Sequence, residues 1–329
     1  MDEGLARLIA DFQKNVMAAV QLMYRSGIPL PSSSHNWIET DIPFSGKLDG
    51  GGEYYKHGAG CAVSVEAGSI DFDFGENGEI GGFNLWWLTQ FAGDELATYG
   101  FDSEAELDES INNALSMGEL VCVRYDLCYE ANVSRVFAID IDSRLPGDRL
   151  PSRNQDRVFV LYSHYFQAAD LMFENYQKLH KKWNKANYLN QREKVDYRIY
   201  LTTWLGFLRV TCEGFGKLNM HLLLGKERPE HFKELLSLSD NIGRMMKKHD
   251  SLLRVFRNDV FHLRENPAVF RQFFANDAER LPWAHELHDA LAKFFSQYRI
   301  LCEAHYLVNG RKGESDLRRQ RSRRKKSAL

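Results

Sequence analysis

Arg257-Asn258-Asp259-Val260-Phe261-His262 puts an arginine, two further polar residues and a histidine into six consecutive positions. The run around it is apolar at Leu252, Leu253, Phe256, Val260 and Leu263, at spacings of three and four. That is the pattern of a helix with one buried face. Asp250 or Ser251 is a competent N-cap for it, and Pro267 is expected to stop it.

The same periodicity extends on both sides. Residues 157 to about 185 carry Val160, Leu161, Tyr165, Ala168, Leu171, Met172, Tyr176 and Leu179 with no proline or glycine between, which predicts one long helix. Residues 193–212 are so apolar and aromatic, around Trp204, Leu205 and Phe207, that they read as a central buried helix. Gly214 and Gly216 punctuate its expected end. Pro229 fits the first turn of a further helix. A last helix from about Pro282 to Val308 buries Leu287, Leu291, Phe294, Phe295 and Tyr298. Four or five antiparallel helices over residues 157–312 make a helical bundle.

Residues 1–141 read differently, as an α+β domain with a small antiparallel sheet. A helix over 4–26 opens it, closed by Gly27 and Pro29. Short strand patterns follow, including the alternating Ser69-Ile70-Asp71-Phe72-Asp73-Phe74 and the hairpin signal Asn77-Gly78. Residues 80–83 are expected to pair back on that strand. Residues 104–117 read as a helix, 120–129 as a strand, and 133–141 as its partner. Between the two domains, 142–156 is rich in proline, glycine and charge and reads as a linker. Residues 313–329 form a basic tail, expected to be disordered and able to hold RNA through its charge over 318–326, or simply to solubilise the chain.

Composition narrows the function classes. With 44% hydrophobic and 26% charged residues in 329, the chain suits two soluble globular domains. A formal net charge of −3 demands no polyanionic partner. The five scattered cysteines lack any C-x-x-C pair, so reduced cytoplasmic thiols are expected. No apolar run reaches the roughly 20 residues that span a bilayer; a soluble, cytoplasmic chain without a membrane partner is expected. Gly-rich phosphate loops, G-x-S-x-G and H-E-x-x-H are all missing, which excludes the signatures of nucleotide triphosphatases, serine hydrolases and zinc proteases. His285-Glu286-Leu287-His288 reads as a solvated helix edge. Asp71 and Asp73 share one strand face, either solvated or holding a divalent metal, and His57 either lines a ligand site or is solvated.

A helical bundle whose penultimate helix carries Arg257, a polar Asn258 and His262 resembles the HEPN superfamily. The resemblance covers about half the chain and implies a metal-independent endoribonuclease of toxin, antiviral-defence or RNA-processing systems, needing no cofactor. It assigns catalysis to Arg257 and His262, with Asn258 and Asp259 supporting them and Arg254 and Arg264 on the RNA backbone. It also implies a homodimer with a composite active site, and an antitoxin or regulatory partner. Some HEPN toxins carry a tyrosine two residues after the histidine as a modification target; Arg264 stands there, which puts that control in doubt. The N-terminal domain, through His57-Gly58-x-Gly60 and residues 70–78, resembles an uncharacterised bacterial α+β domain, with a sensing or partner-binding role.

The residue chemistry agrees with that assignment. RNA carries its own nucleophile, the 2′-hydroxyl, so cleavage needs a proton carrier near neutrality and a cation on the phosphate oxygens. Histidine and arginine supply these. Positions five apart on a helix diverge by roughly 140°. Arg257 and His262 therefore point different ways within one copy, and a symmetric pair of copies completes the cleft. The alternative reading is a catalytically inactive HEPN-like dimerisation or adaptor protein with a ligand- or partner-binding N-terminal domain.

Overall fold

A computed structural model describes residues 1–65, 68–123, 126–262, 268–275 and 277–317. They divide into two compact units, Met1–Arg144 with His305–Leu329, and Leu145–Ala304.

The first unit is α+β. Helix α1 (Glu3–Arg25) starts where the Asp2 carboxylate accepts from the Leu5 amide, 3.1 Å away. Its apolar stripe from Leu5 to Met23 is buried. It shares one core with a four-stranded antiparallel meander, β1 (Ser45–Lys47), β2 (Glu53–His57), β3 (Gly60–Val65) and β4 (Gly68–Asp73). Alternation sorts the two faces. Tyr54, Cys61, Val63, Ile70 and Phe72 go into the core. Tyr55, His57, Ala62, Asp71 and Asp73 share the other face, in register across the strands. Lys56 is also buried; its ammonium donates to the carbonyls of Ile38 and Thr40, beside the short helix α2 (Ser34–Glu39).

Three sequence expectations change here. The Asn77-Gly78 turn forms, but β5 (Glu79–Ile80) does not return to β4; it pairs with β8 (Val136–Phe137). The Glu79 carboxylate folds back on the Asn77 amide at 2.7 Å, and the Gly75 amide donates to the Glu79 carbonyl at 2.8 Å, so the turn closes on itself. Residues 120–129 are two strands, β6 (Leu120–Cys122) and β7 (Cys128–Glu130), paired as a hairpin rather than with residues 133–141. Within it Cys122 faces Cys128 with Cα atoms 4.0 Å apart, and the two form a disulfide. This corrects the expectation of uniformly reduced thiols, because cross-strand opposition brings together two cysteines that spacing alone does not pair. Cys61, Cys212 and Cys302 are free and buried. Helices α3 (Leu85–Ala92) and α4 (Glu104–Ser116) complete the unit's core.

The second unit is helical. α5 (Arg157–Leu161), a π-helical turn (Tyr162–Phe166) and α6 (Gln167–Ala186) follow without a break. α7 (Gln191–Lys217) opens on a reciprocal cap between Asn190 and Glu193. It runs through both glycines expected to end it. Gly214 lies against the Leu161 side chain, and a Cβ at Gly206 would stand 2.9 Å from the Phe261 ring. Gly206 and Gly214 serve close helix approach, whereas Gly216 meets only an ordinary contact with Met246 at 3.9 Å. α8 (Met220–Lys226) and α9 (Leu236–Lys248) lead to α10 (Asp250–Phe261), α11 (Ala268–Phe274) and α12 (Asp277–Val308), which holds Pro282 inside it. One buried polar knot stands out: Asp156 accepts from Arg228 at 2.9 Å and from the Tyr298 hydroxyl at 2.7 Å, all three nearly inaccessible. Residues 305–312, which the sequence groups with the bundle, belong to the first unit. Among the described residues, no helix is long and apolar enough to cross a membrane.

Candidate functional site

α10 carries the Arg257 stretch, with Leu253 and Phe256 buried beneath it. It ends earlier than expected. Phe261 is its last residue, and His262 has extended backbone, φ −130° and ψ 135°, with its amide donating to the Asn258 carbonyl at 3.0 Å. Nothing between His262 and Pro267 in the sequence signals a stop at Phe261. His262 is thus the C-cap of α10, its amide still in the helical ladder and its own backbone angles outside it. Phe261 packs edge-on against Phe207 of α7, ring centroids 5.2 Å apart, which ties the helix end to its neighbour.

Arg257 is held from α7. Its Nη2 donates to Glu213 Oε1 at 2.6 Å. The same carboxylate oxygen stands 3.5 Å from Nη2 of Arg209, whose Nη1 reaches Asp250 at 2.5 Å. Asp250, Arg209, Glu213 and Arg257 thus form one alternating chain of charges between the two helices. Arg209 is deeply buried and Arg257 half-buried. Among the described residues, Nε of both arginines and Oδ2 of Asp259 are buried without a hydrogen-bond partner. His262 and Arg254 are exposed, and Asn258 is half-buried. Arg264 and the basic stretch 318–326 lie outside the described residues. The structure therefore brings Arg257 onto a fixed acidic partner that sequence reasoning missed, and leaves His262 open at the helix end. Glu213 lies 44 positions upstream of Arg257, with no local signal joining them.

His288 corrects the reading of a solvated helix edge. It is 1% exposed. Trp204 Nε1–H donates to its Nδ1 at 3.2 Å, so the ring proton sits on Nε2 and faces Asp170 at 3.0 Å. Burial pushes the imidazole below its ordinary range, against the opposing pull of Asp170. The signal was present: His288 falls at helical spacing from Ala284 and Leu291, on the inner face.

In the first unit His57 is the last residue of β2, not a loop residue, and its Nε2 meets Asp71 Oδ1 at 2.7 Å. Burial pushes the Asp73 carboxyl up, His57 opposing this and Asp71 adding to it. Among the described residues no group of three or more His, Cys, Asp or Glu is placed to hold a metal ion.

No curated protein and no solved structure matches the chain. Residues 5–130, from α1 through β7, match the family model described as Domain of unknown function (DUF6896).

Proposed function

We propose that the chain is a metal-independent endoribonuclease of the HEPN type, a cytoplasmic toxin or antiviral-defence effector. Arg257 grips the phosphate oxygens, and His262 moves the proton. The substrate 2′-oxygen bonds to phosphorus as the P–O5′ bond breaks, leaving a 2′,3′-cyclic phosphate and a 5′-hydroxyl. Asn258 and Asp259 support the pair, and Arg254 and Arg264 contact the RNA backbone. The carrying observation is the contrast on α10: the arginine is fastened by Glu213, while the histidine beside the helix end is exposed. A second copy supplies the other half of the cleft, and an antitoxin or regulatory partner acts on the assembly.

The test is purified protein on RNA in EDTA, with the fragment ends analysed. Arg257→Ala and His262→Ala are each expected to lower cleavage by about 10²–10⁴-fold. Cleavage equal in all three proteins would remove the assignment. The same ion pair favours a second reading, an inactive dimerisation or adaptor bundle, since Glu213 accounts for the Arg257 charge without any substrate. Growth of a bacterial host expressing the three proteins separates the readings: toxicity lost in both variants supports the nuclease, and equal effects support the adaptor.

A further inference from the structure

The hairpin of α6 and α7 has a cationic, aromatic tip. Residues 178–198 hold seven lysines and arginines against two carboxylates, on a chain whose formal net charge is −3. All seven cations are exposed. Both acids are already engaged. Glu193 meets Lys182 and accepts from the Asn190 amide at 3.1 Å, and Asp196 lies 3.8 Å from Arg192. Among the described residues Lys181, Lys185, Lys194 and Arg198 form no ion pair. Helix stability does not explain this pattern. Lys181 and Lys185 stand four apart on α6, and Lys194 and Arg198 four apart on α7, so each helix carries a like-charge pair on one face, which destabilises it. The helix dipole favours cations at the end of α6 but gives no such support at the start of α7, where Lys194 stands. The tip has a fixed frame. Leu189 is buried, His180 Nδ1 and the Tyr197 hydroxyl are 3.2 Å apart across the two helices, and Asn187 ends α6 in the left-handed region at φ 50°. On this frame Trp183 and Tyr188 are 39% and 61% exposed.

We infer that this tip is a docking surface for single-stranded RNA, held through its phosphates and through stacking of its bases on Trp183 and Tyr188. The choice of RNA as the polyanion rests on the nuclease reading above, and the tip lies in the same unit as Arg257 and His262. The four cations without an ion pair can neutralise phosphates and release their counterions. Exposed rings offer stacking planes that the bases of a single strand can meet and those inside a duplex cannot. Asn184 and Asn187, next to the rings in sequence, are exposed, and their amides can hydrogen-bond base edges. An anionic membrane shares the charge but not the rest. A membrane-seated surface buries apolar side chains, and between Lys181 and Asn190 the sole aliphatic residue larger than alanine, Leu189, is buried in the protein. The tip supplies affinity and position rather than chemistry, since none of its residues is among those assigned to cleavage.

The experiment uses the full-length chain and a fluorescent 2′-O-methyl oligouridine of about 16 nucleotides. That probe has no free 2′-hydroxyl, so it reports binding apart from cleavage. Lys181→Gln, Lys185→Gln, Lys194→Gln and Arg198→Gln together should weaken binding at least about tenfold and reduce the slope of log affinity against log salt by about 2–3. Trp183→Leu with Tyr188→Ala should weaken binding at least about tenfold and leave that slope unchanged. Tyr188→Ala alone, at the more exposed ring, carries the same sign should Trp183→Leu unfold the chain. Oligouridine bound equally by wild type and all these variants overturns the docking surface. So do phosphatidylserine vesicles that bind through the tip while the oligonucleotide does not. Failure of the nuclease reading looks different. RNA held through the tip by a chain that cuts no RNA supports the surface and removes the nuclease, whereas RNA cut by a chain whose binding ignores the tip variants overturns the surface and leaves the nuclease.

Discussion

Glu213 is the residue on which the two readings of the site part. Its carboxylate serves two arginines, Arg257 at 2.6 Å and Arg209 at 3.5 Å. Glu213→Gln keeps the shape and removes the charge. Arg209 retains Asp250, whereas Arg257 loses its named acidic partner. Because the Glu213 and Arg257 side chains are 25% and 21% exposed, solvent softens the loss. Urea unfolding is expected to show a cost of about 1–2 kcal/mol. RNA cleavage should fall as Arg257 loses its fixed orientation, but less than in Arg257→Ala, which removes the cation itself. Cleavage untouched by Glu213→Gln while Arg257→Ala abolishes it would show that the pair does not position the arginine. At this scale the sequence was informative about residue types and silent about partners. Arg257 and His262 announce a proton carrier and a phosphate cation by their chemistry. Their surroundings depend on which helix lies alongside, and the Glu213 contact spans 44 positions.

Among the elements, α7 shows how local rules mislead when tertiary contact decides. Gly214 reads as a stop, and glycine anywhere in a helix interior, Gly206 included, costs about 1 kcal/mol relative to alanine. Both instead admit a neighbour: Gly206 faces Val260 and Phe261 of α10, and Gly214 faces Leu161 of α5. Gly206→Ala sets these effects against each other. The helix gains about 1 kcal/mol of propensity, and the new methyl, 2.9 Å from the Phe261 ring, costs about 1–3 kcal/mol by overpacking. The net expectation is destabilisation by about 0–2 kcal/mol. A displaced Phe261 moves the adjoining His262, so cleavage should fall further than thermal stability does. A variant more stable than wild type and fully active would show that the close approach is slack. Strands carried the opposite lesson. Alternation along residues 69–74 gave the two faces of β4 from sequence alone. The partners of β5 and β6 did not follow, since two- and three-residue strands hold too little pattern to specify register.

For the whole molecule, the units divide between Arg144 and Leu145, inside the proline-, glycine- and charge-rich stretch 142–156; from that stretch and the helical period that begins at 157, the division into an α+β part and a helical part was legible. The return of residues 305–317 to the first unit was not, because the period of α12 continues smoothly through Val308 while its neighbours change. The helical unit also buries a histidine, His288, in its core. His288 is held in its Nε2–H tautomer by Trp204 on α7 and Asp170 on α6, and burial disfavours its charged form against the pull of Asp170; His285 and Asp289 lie on its own helix and the Phe166 ring is stacked 5.0 Å away. Protonating Nδ1 would set an N–H against the Trp204 N–H. His285 and His249 are also held below the ordinary histidine range, chiefly by burial. A histidine depressed in the folded state binds fewer protons there than in the unfolded chain. Its contribution is therefore complete above the unfolded value, about pH 6.5, and is lost as pH falls through and below it. Urea unfolding should accordingly show the helical unit losing stability between about pH 7.5 and pH 5, before most carboxylates titrate. His288→Gln tests the assignment, since its amide can accept from Trp204 and donate to Asp170 without titrating. That variant should be less stable than wild type at pH 7.5 because its shape fills the site less well, and should show a shallower loss toward pH 5. An unchanged pH slope would place the acid sensitivity on His285 or His249 instead, leaving His288 as a packing residue.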